Sequence, residues 1–558
     1  MKPGKVVLPK TRLAASRSIS GKSAGGMGRR IATAAVLLTV WLAPLACSGQ
    51  LTSPAKLTAT AADPVAAVAG VQQPAGAALA TLTPLAFPSP TATAQQTPTP
   101  PRTLTLLPAP TGGTPKDAPI LYYTQAGDTL KALALRFNVQ PSEITSPDHI
   151  PTEGLFNPGE LLLIPPRLTN LSNSKPLLPD SEIVYSPSAL DFDIVAFVKE
   201  YNGYLSTYKE WRSDGWYDGA GIIHRVAIEN SVNPRLLLAI LEQQAHWDDG
   251  QPQNLAQTDY PIGFVKGENE KKGLYYQLSW AVQQLNIGYY GWHEGSITEL
   301  TFPDGSKLRL APELNAGTVS ILYFFSRLYN QPEWNNILYG QDGFLSLYEK
   351  MFGNPWLRSQ AVEPLFPATL TQPPLALPFP PGHTWAFTGG PHPAWGEGTQ
   401  GAPAALDFAP SATVHGCYKS DEWVTASASG LVVRSTNGVV VLDLDGDGYE
   451  QTGWNIMYLH IATQDRVPEK TWVNVNDHIG HPSCEGGVAT GTHVHIARKY
   501  NGEWILADGP LPFDLDGWIT HWDKVPYKGY MTNGPQLVIA SQVGSFESKV
   551  TRPADSHP

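Results

Sequence analysis

Charged residues are scarce in this chain, and positive charge is the scarcer sign. Only 16 % of the 558 residues are charged, and 38 Lys and Arg stand against 49 Asp and Glu, which gives a net charge of −11. Binding to nucleic acid depends on a basic stripe that neutralises phosphates, and the sequence contains none, so we expect no nucleic-acid partner. The length is too great for one hydrophobic core, so several domains are expected.

Cysteine is rare as well, and the three residues of this type are unevenly placed. Cys47 follows an apolar stretch near the N-terminus, whereas Cys417 and Cys484 both lie in the C-terminal third. Disulfides persist mainly in exported proteins, where two cysteines in one domain are candidates for a bridge. We therefore predict a disulfide between Cys417 and Cys484, with two buried thiols as the alternative.

Long hydrophobic runs are limited to the N-terminus. Residues 1–30 carry eight Lys and Arg and no acid, residues 31–46 are apolar, and no later run reaches the roughly 18 residues of a membrane span. This order of segments is typical of a signal peptide. The residues Pro-Leu-Ala-Cys at 44–47 resemble a bacterial lipobox, which implies that residues 1–47 are a signal peptide with its cleavage site. We expect an exported protein of the cell envelope, lipid-anchored through Cys47 to the outer face of the membrane; a free Cys47 is the alternative.

Segments that contain proline separate the parts of the chain that can form cores. Residues 48–118 are rich in Ala, Thr and Pro, a composition that cannot bury a core and that predicts a disordered, extended tether. Residues 167–190 are predicted as a polar linker, and residues 359–381 as a Pro-rich linker or wrapped arm. Residues 531–558 are assigned to a C-terminal tail.

Residues 120–166 have the pattern of a small mixed domain. A β-rich stretch opens it, and a turn with Asp128 and Thr129 then offers a cap for a helix. Apolar residues follow at i, i+3, i+4 and i+7, which places them on one helical face: Leu130, Leu133, Ala134 and Phe137. Pro141 begins a second predicted helix, and residues 161–165 form the closing strand. This β-α-α-β order resembles a LysM domain, which implies binding to glycan that contains N-acetylglucosamine; a helical spacer is the alternative.

Residues 191–358 are predicted to be mostly helical. Apolar residues recur at helical spacing from Ile194 to Tyr201, from Ile222 to Ala227 and, after a turn, from Leu237 to Leu241. Asn233 and Pro234 have the cap and first-position residues of a helix start. Two further helices are predicted over residues 275–290 and 315–329.

Residues 232–245 resemble the lysozyme-like fold of lytic transglycosylases. In that family the run ends in a catalytic Glu followed by Ser, whereas Gln244 and Ala245 stand in these places here. A Gln cannot donate the proton that glycosidic cleavage needs, and Glu242, two residues earlier, lies about 200° round the helix. The resemblance implies a degenerate domain kept for glycan binding or spacing. An active glycosidase that uses Glu242 and an unrelated helical domain are the alternatives.

Residues 382–530 change to short β runs separated by Gly and Asp turns, which predicts an antiparallel β domain. Three stretches of this domain contain histidine: Gly390-Pro391-His392 with Asp407 downstream, Tyr458-Leu459-His460, and Gly491-Thr492-His493-Val494-His495. Residues i and i+2 of a strand share a face, so His493 and His495 should point into one site. A catalytic zinc takes three protein ligands from His and carboxylate and keeps one position open.

This order of motifs resembles the M23 family of peptidoglycan endopeptidases, which includes lysostaphin, over about residues 382–510. The resemblance implies Zn2+ as the cofactor. It assigns three residues as metal ligands, namely His392, Asp407 and His495. It also implies that His460 and His493 polarise the attacking water and stabilise the oxyanion.

The chain departs from the family pattern at the first ligand. The His and Asp are three residues apart in most of the family, whereas fourteen residues lie between His392 and Asp407. His383 and His415 therefore compete with His392. His392 is preferred because residues 387–390 before it look like the strand and turn of the family.

Alternating acids from Asp443 to Asp447 resemble a calcium-binding loop. The bidentate Glu that completes such a loop is missing, because Trp454 stands at its place. A solvated hairpin turn is therefore favoured over a calcium site.

Together these patterns predict a multidomain protein with a small β-α-α-β LysM module, a mostly α lysozyme-like domain and an antiparallel β M23 peptidase domain. The predicted function is that of a cell-wall-associated zinc metalloendopeptidase that hydrolyses the peptide cross-links of peptidoglycan. Its partners would be the glycan strands and stem peptides of peptidoglycan, and the membrane through the lipid anchor. The alternatives are a non-catalytic scaffold with an inert M23-like domain and a muramidase or transglycosylase. An intact set of predicted ligands disfavours the first, and Gln244 disfavours the second.

Overall fold

The computed structural model of the protein describes residues 118–265, 271–396, 401–412 and 416–556. The predicted signal peptide, Cys47 and nearly all of the predicted tether lie outside the described residues. None of the described helices is both long and apolar enough to cross a bilayer. The buried apolar side chains of the described residues group into three cores.

The smallest core belongs to an N-terminal module. In chain order, its elements are β1 (Ile120–Tyr123), α1 (Leu130–Phe137), a 3-10 turn (Pro141–Glu143) and β2 (Leu161–Ile164). The two strands pair antiparallel, and Thr129 caps α1 by accepting a hydrogen bond from the backbone N–H of Ala132.

The second helix predicted for this module begins at Pro141, as expected, but it is much shorter than an α-helix. Only one 3-10 turn forms, because the chain becomes extended at Ile144 and Thr145 then pairs with Leu163 of β2. The observed order is therefore strand, helix, 3-10 turn and strand, and the resemblance of the module to LysM stays a prediction.

Arg136 joins this module to the helical region. The buried side chain pairs with Asp128 at 2.6 Å and donates hydrogen bonds of 2.8 and 3.1 Å to the carbonyl oxygen of Trp292. Its guanidinium also lies 4.6 Å from the Trp292 ring centroid. A buried cation that has all these partners fixes the module in place.

The helical region follows. Its elements are α2 (Ile194–Tyr201), β3 (Lys209–Arg212), β4 (Gly215–Asp218), α3 (Gly219–Asn230), α4 (Pro234–Ala245), α5 (Leu255–Asp259), α6 (Leu274–Glu294), β5 (Glu299–Thr301), β6 (Lys307–Arg309), α7 (Ala316–Ser326), α8 (Gln331–Tyr339), α9 (Phe344–Phe352) and α10 (Pro355–Ser359). The predicted helix start at Asn233 is confirmed, because its side chain accepts a hydrogen bond of 3.0 Å from the Arg235 N–H and Pro234 takes the first position.

Part of the predicted linker over residues 167–190 belongs to this core. Leu177, Leu178, Ile183 and Val184 are buried in it. Two 3-10 turns, Asp180–Glu182 and Pro187–Ala189, carry the chain across the helices. The apolar residues of this segment therefore outweigh the Pro and polar residues on which the linker prediction depended.

The antiparallel β domain is confirmed. Its strands are β7 (Thr384–Pro393), β8 (Pro403–Ala409), β9 (Val424–Thr425), β10 (Gly430–Thr436), β11 (Val439–Asp443), β12 (Trp454–Leu459), β13 (Trp472–Val473), β14 (His478–Gly480), β15 (Val494–Tyr500), β16 (Glu503–Trp504), β17 (Asp514–Leu515), β18 (Trp518–Trp522), β19 (Gly529–Asn533), β20 (Gln536–Ile539) and β21 (Lys549–Thr551). The main sheet has the order β13-β10-β11-β12-β15-β8-β7-β21, with β16 beside β15, and β17 to β20 form a smaller sheet.

Both termini of the predicted peptidase domain are more ordered than their composition indicates. Leu375, Leu377 and Phe379 of the predicted Pro-rich linker are buried in the β core, as in the alternative of a wrapped arm. The predicted C-terminal tail supplies β21, which pairs with β7 as the outer strand of the main sheet. Val550 of β21 is fully buried, so this strand is held by apolar packing as well as by hydrogen bonds.

The main sheet is buried on both faces. Val439 and Val441 of β11 pack into the core of the helical region, whereas Val440 and Leu442 pack into the β core. Successive side chains of a strand point to opposite faces, so the continuous apolar run of β11 fits between two layers. The helical region therefore covers one face of the sheet.

Polar contacts of β16 tie the same two regions together. The backbone N–H of Trp504 donates to the Tyr290 hydroxyl at 3.0 Å, and its indole N–H donates to the carbonyl of Asn230 at 3.2 Å. The Tyr289 hydroxyl donates to the carboxyl group of Glu503 at 3.1 Å. These contacts fix the orientation of the helical region on the sheet.

The predicted disulfide between Cys417 and Cys484 is confirmed, with 5.6 Å between the Cα atoms. Replacing both cysteines by Ser should lower the free energy of unfolding by about 2–4 kcal/mol, because the bridge closes a long loop in the unfolded chain. Guanidinium unfolding followed by tryptophan fluorescence measures this. A reductant should destabilise the wild type by the same amount and leave the double variant unchanged. Equal unfolding midpoints for the wild type and the variant would contradict the prediction.

Glu503 should make the stability of the fold depend on pH. Burial, with Asp180 acting in the same direction, raises the pKa of Glu503 to about 8 despite the Tyr289 hydrogen bond. An acid whose pKa is raised by folding stabilises the fold below its unfolded pKa, and this stability is lost as pH rises to about 8. Glu503→Gln should therefore remove a loss of up to about 4 kcal/mol between pH 5 and pH 8.

Urea unfolding at pH 5, 6.5 and 8 measures the effect of Glu503→Gln. The matched control is Glu153→Gln at an exposed position, which should keep the pH dependence of the wild type. If the free energy of unfolding changes with pH equally in the wild type and in Glu503→Gln, ionisation of Glu503 does not destabilise the fold and the prediction is contradicted.

Candidate metal centre

Four histidines and one aspartate meet in a cleft between the β domain and the helical region. The cleft has a volume of about 1440 Å3. On the β-domain side it is lined by all five predicted site residues, His392, Asp407, His460, His493 and His495. On the opposite side it is lined by residues of the helical region, among them Asp214, Arg225, Tyr275 and Trp280.

The strand register of the main sheet positions three of these residues. Pairing of β8 with β15 sets Asp407 directly opposite His495. Pairing of β15 with β12 sets Leu459 opposite His495 on the other side, so that His460 follows at the end of β12. His493 directly precedes β15 and lies two residues before His495, which places both on one side of the chain.

His392 enters from β7, which forms a hairpin with β8. His392 lies opposite Ala405 and Gly389 lies opposite Asp407, with register shifts between these pairs. Antiparallel pairing of β7 with β8 brings the two residues together although fourteen residues separate them in sequence, and His392 Nε2 is only 3.2 Å from Asp407 Oδ1. The structure therefore places His392, the residue that the sequence analysis preferred as the first metal ligand, beside Asp407.

The ligand atoms of His392, Asp407 and His495 all lie within 4.8 Å of one another. His392 Nε2 is 3.0 Å from His495 Nδ1, and Asp407 Oδ1 is 3.3 Å from the same nitrogen. His493 Nε2 lies 3.6 Å from Asp407 Oδ1, and the His493 and His460 ring centroids are 4.5 Å apart. The structure thus brings all five predicted residues together.

Backbone carbonyls decide which ring nitrogen of each histidine carries hydrogen. A carbonyl oxygen only accepts hydrogen bonds, so a ring nitrogen against it must be the donor, and the other nitrogen of a neutral ring keeps its lone pair. Such contacts of 2.7–3.0 Å occur in all four rings: His392 Nδ1 to Gly390, His460 Nδ1 to Glu485, His493 Nδ1 to Gly491 and His495 Nε2 to Ala394. The lone pairs of His392, His493 and His495 therefore lie beside Asp407.

This arrangement fits a metal ion. Asp407 Oδ1 is buried and has no hydrogen-bond donor in the part of the chain that the structure describes. Nitrogen lone pairs that face an unpaired buried carboxylate oxygen are unfavourable unless a cation lies between them. Two imidazoles and one carboxylate are a donor set of catalytic zinc sites, and the carbonyl contacts of the rings are typical of histidine ligands.

Burial and mutual contact set the protonation states in the cluster. Burial lowers the pKa of His460 to about 3, with His493 and His495 acting in the same direction, and burial lowers the pKa of His495 as well. Burial acts to raise the pKa of Asp407, but the neighbouring His392 and His493 outweigh it and hold this pKa well below its usual range. An ionised Asp407 and a neutral His495 are the states in which these two side chains bind a cation.

Three contributors to the site were not predicted from the sequence. Tyr527 stacks on the His392 ring with centroids 4.3 Å apart. A Cβ atom at Gly389 would lie 2.3 Å from Asp407 Oδ2, so only glycine leaves room for the carboxylate. The carbonyl of Ala394 orients His495. The Gly389-Gly390 pair before His392 was the available sequence signal, whereas nothing local marks Tyr527.

The sequence offered His383 and His415 as alternatives to His392 for the first metal ligand. His383 is exposed, and its Nδ1 lies 3.2 Å from Glu422, away from the cluster. His415 lies outside the described residues.

The other residues that the sequence singled out serve local structure. Gln244 accepts a hydrogen bond from the Tyr329 hydroxyl, and the Glu242 carboxylate accepts one of 2.8 Å from the Asp248 N–H. Neither is among the described residues that line the metal cleft. Asp443 accepts hydrogen bonds from the backbone N–H groups of Asp445, Gly446 and Gly448, as a turn-forming residue does.

Comparisons with known proteins agree with the geometry. The sequence model of the family described as "LasA, N-terminal domain" matches residues 176–365, which correspond to most of the helical region. Protease LasA of Pseudomonas aeruginosa (strain UCBPP-PA14) is 22% identical over 377 residues, which cover 64% of this chain and 82% of LasA. Residues 176–365 are thus similar to a LasA domain, and the transglycosylase-like assignment of this region stays a prediction.

Further similarity covers a shorter part of the chain. The beta-lytic metalloendopeptidase of Lysobacter enzymogenes is 28% identical over 136 residues, or 24% of this chain and 74% of that protein. The M23 metalloprotease pseudoalterin, whose structure is solved, is 21% identical in sequence, with a TM-score of 0.25. The match covers 31% of this chain and 96% of the pseudoalterin chain. On the grounds of these sequence matches the chain is a metalloendopeptidase that is similar to Protease LasA and to beta-lytic metalloendopeptidase.

Proposed function

We propose that this protein is an exported zinc metalloendopeptidase that hydrolyses the peptide cross-links of peptidoglycan. The observation that carries the proposal is the triangle of ligand atoms from His392, Asp407 and His495, with the unpaired Asp407 Oδ1 at one corner. A site with two histidines, one carboxylate and open space beside it is what metal-assisted amide hydrolysis requires. The similar proteins include Protease LasA and a beta-lytic metalloendopeptidase, which favours peptide over sugar bonds.

In this proposal Zn2+ would be held by His392 Nε2, Asp407 Oδ1 and His495 Nδ1. When bound, the metal would polarise the scissile carbonyl and the attacking water. His460 and His493 would act from beside it, because their Nε2 atoms are free of the carbonyls that bind their Nδ1 atoms. One neutral ring can take the proton of the attacking water, and a protonated ring can then stabilise the oxyanion.

The remaining predicted features concern targeting. A LysM-like module over residues 120–166 would bind the glycan strands, and a lipid on Cys47 would hold the enzyme at the outer face of the membrane. A tether over residues 48–118 would then let the catalytic part reach the wall. The β1–β2 pairing and the cap of α1 support the module, while the anchor depends on the lipobox-like sequence alone.

Two other functions make different predictions. An inert peptidase-like domain on a wall-binding scaffold would bind peptidoglycan without releasing products. A glycan-cleaving enzyme would need a carboxylic acid beside the sugar oxygen, and Gln244 stands where its lytic-transglycosylase counterpart has that acid. The intact set of predicted metal ligands favours the peptidase over both alternatives.

The full chain should bind about one zinc ion per molecule. His495→Ala should remove the zinc, whereas His493→Ala should retain it and lower kcat about 100-fold or more, because only proton transfer is lost. Metal content after dialysis is measured by plasma mass spectrometry. His383→Ala is the matched control and should keep both zinc and activity. Unchanged zinc in His392→Ala would show that the ligand assignment is wrong.

The products of digestion should identify the bond that breaks. Purified peptidoglycan treated with the enzyme should release new amino groups without new reducing sugars or anhydro-muramic ends. A chelator should stop the release and added zinc should restore it. Chelator-resistant sugar ends that disappear in Glu242→Gln would instead place catalysis in the helical region, and binding without either product would favour the scaffold.

A further inference from the structure

Two tryptophans project from the helical region on the hairpin formed by β3 and β4. Trp211 and Trp216 lie opposite each other in the register, so both side chains stand on the same face of the hairpin. They are 59% and 68% exposed, and their ring centroids are 5.6 Å apart. Of the other tryptophans in the described ranges, only Trp472 is exposed to a similar degree. Such exposed apolar surface is characteristic of binding sites.

The opposite face of the hairpin is anchored. The guanidinium of Arg212 lies 4.1 and 4.3 Å from the ring centroids of Tyr275 and Tyr276 at the start of α6. The carboxylate of Glu210 accepts hydrogen bonds from the Tyr208 hydroxyl at 2.9 Å and from the Tyr275 N–H at 3.2 Å. The tryptophan pair is therefore held on a fixed support, which lowers the entropy cost of binding a ligand.

The turn of the hairpin is part of the metal cleft. Ser213 and Asp214, the two residues between β3 and β4, line the same cleft as the histidine cluster. Asp214 accepts a hydrogen bond of 2.6 Å from Asn437 of the β domain and pairs with Arg225 at 2.9 Å. The turn that joins the two strands of the tryptophan pair is thus part of the wall of the metal cleft.

The charge and size of this surface limit what can bind there. The hairpin carries two cations against three carboxylates, Lys209 and Arg212 against Glu210, Asp214 and Asp218. It therefore lacks the positive charge that attracts anionic lipid. Two indoles bury at most about 500 Å2, which is less than the roughly 800 Å2 per partner of a stable dimer. A small, neutral and amphipathic ligand fits better than a membrane or a second copy.

We infer that Trp211 and Trp216 form a platform on which sugar rings of the peptidoglycan glycan strand stack. The C–H face of a pyranose ring is apolar and packs against an indole face, while its equatorial hydroxyl groups remain in water. This inference rests on the proposed function and deepens it, because peptidoglycan is taken as the substrate. A glycan strand held on the platform would leave its stem peptide to enter the adjoining cleft.

Fluorine NMR of the full chain labelled with 5-fluorotryptophan tests the platform residue by residue. Trp211→Phe and Trp216→Phe assign the two signals, and the probe is the hexamer of N-acetylglucosamine, added in the presence of a chelator so that no cleavage is involved. Residues 118–166 contain no tryptophan, so glycan bound to the N-terminal module is silent in this experiment. The signals of Trp211 and Trp216 should shift with saturation, and the signal of Trp472 should not move.

The two tryptophans should also depend on each other. In Trp216→Ala, the Trp211 signal should need about tenfold more hexamer to reach half of its shift, which corresponds to about 1.4 kcal/mol. Trp472→Ala is the matched control and should leave that midpoint unchanged. A midpoint that stays the same in Trp216→Ala would overturn the paired platform.

Other outcomes overturn the inference in distinct ways. Signals of Trp211 and Trp216 that ignore the hexamer would exclude a sugar platform. Shifts with phosphatidylglycerol vesicles alone would indicate a membrane surface, and shifts on dilution without ligand would indicate a second copy. Sugar-dependent shifts in a chain that releases no amino groups from peptidoglycan would uphold the platform and refute the peptidase. Amino-group release without such shifts would refute the platform alone.

Discussion

The antiparallel pairing of β8 with β15 fixes Asp407 opposite His495, and the remaining geometry of the site follows from this register. Side chains alternate along a strand, so a slip of one residue would turn Asp407 to the other face of the sheet. The neighbouring strand β7 must then accommodate the carboxylate, and it does so with Gly389, where a Cβ atom would collide with Asp407 Oδ2. One register thus determines the ligand pair and the residue type beside it.

The helical region contributes to the site through the way in which it covers the sheet. Alternate residues of β11 pack into different cores, so the sheet cannot be exposed on the helical side without loss of a large apolar interface. The contacts of Trp504 with Tyr290 and Asn230 set the orientation of the two layers. Residues of this covering layer line the cleft opposite the histidines and form its second wall.

Residues in loops orient the histidine rings that the strands bring together. The carbonyls of Glu485, Gly491 and Ala394 each hold a histidine ring in one tautomer, and none of these three residues lies within a strand. The disulfide joins Cys484, the neighbour of Glu485, to the loop at Cys417. The covalent bridge therefore limits the movement of a loop on which the orientation of His460 depends.

Local sequence was sufficient for features that depend on neighbouring residues. The cap at Asn233, the periodicity of the helices and the i, i+2 spacing of His493 and His495 could each be predicted, because each is set within a few residues. The buried residues in the predicted linkers and tail could not be predicted, since Leu177 or Val550 becomes core only when a distant layer packs on it.

The sequence by itself determined which residue types were available for a metal, and their order along the chain. Only the tertiary structure decided that His392 lies next to Asp407. Fourteen residues separate the two in sequence, but β7 and β8 pair and bring them into contact. The tertiary structure also decided that Tyr527 stacks on His392 and that the helical region faces the site. The physical reason is that strand register and layer packing join residues that are far apart in sequence, and no local pattern records such pairings.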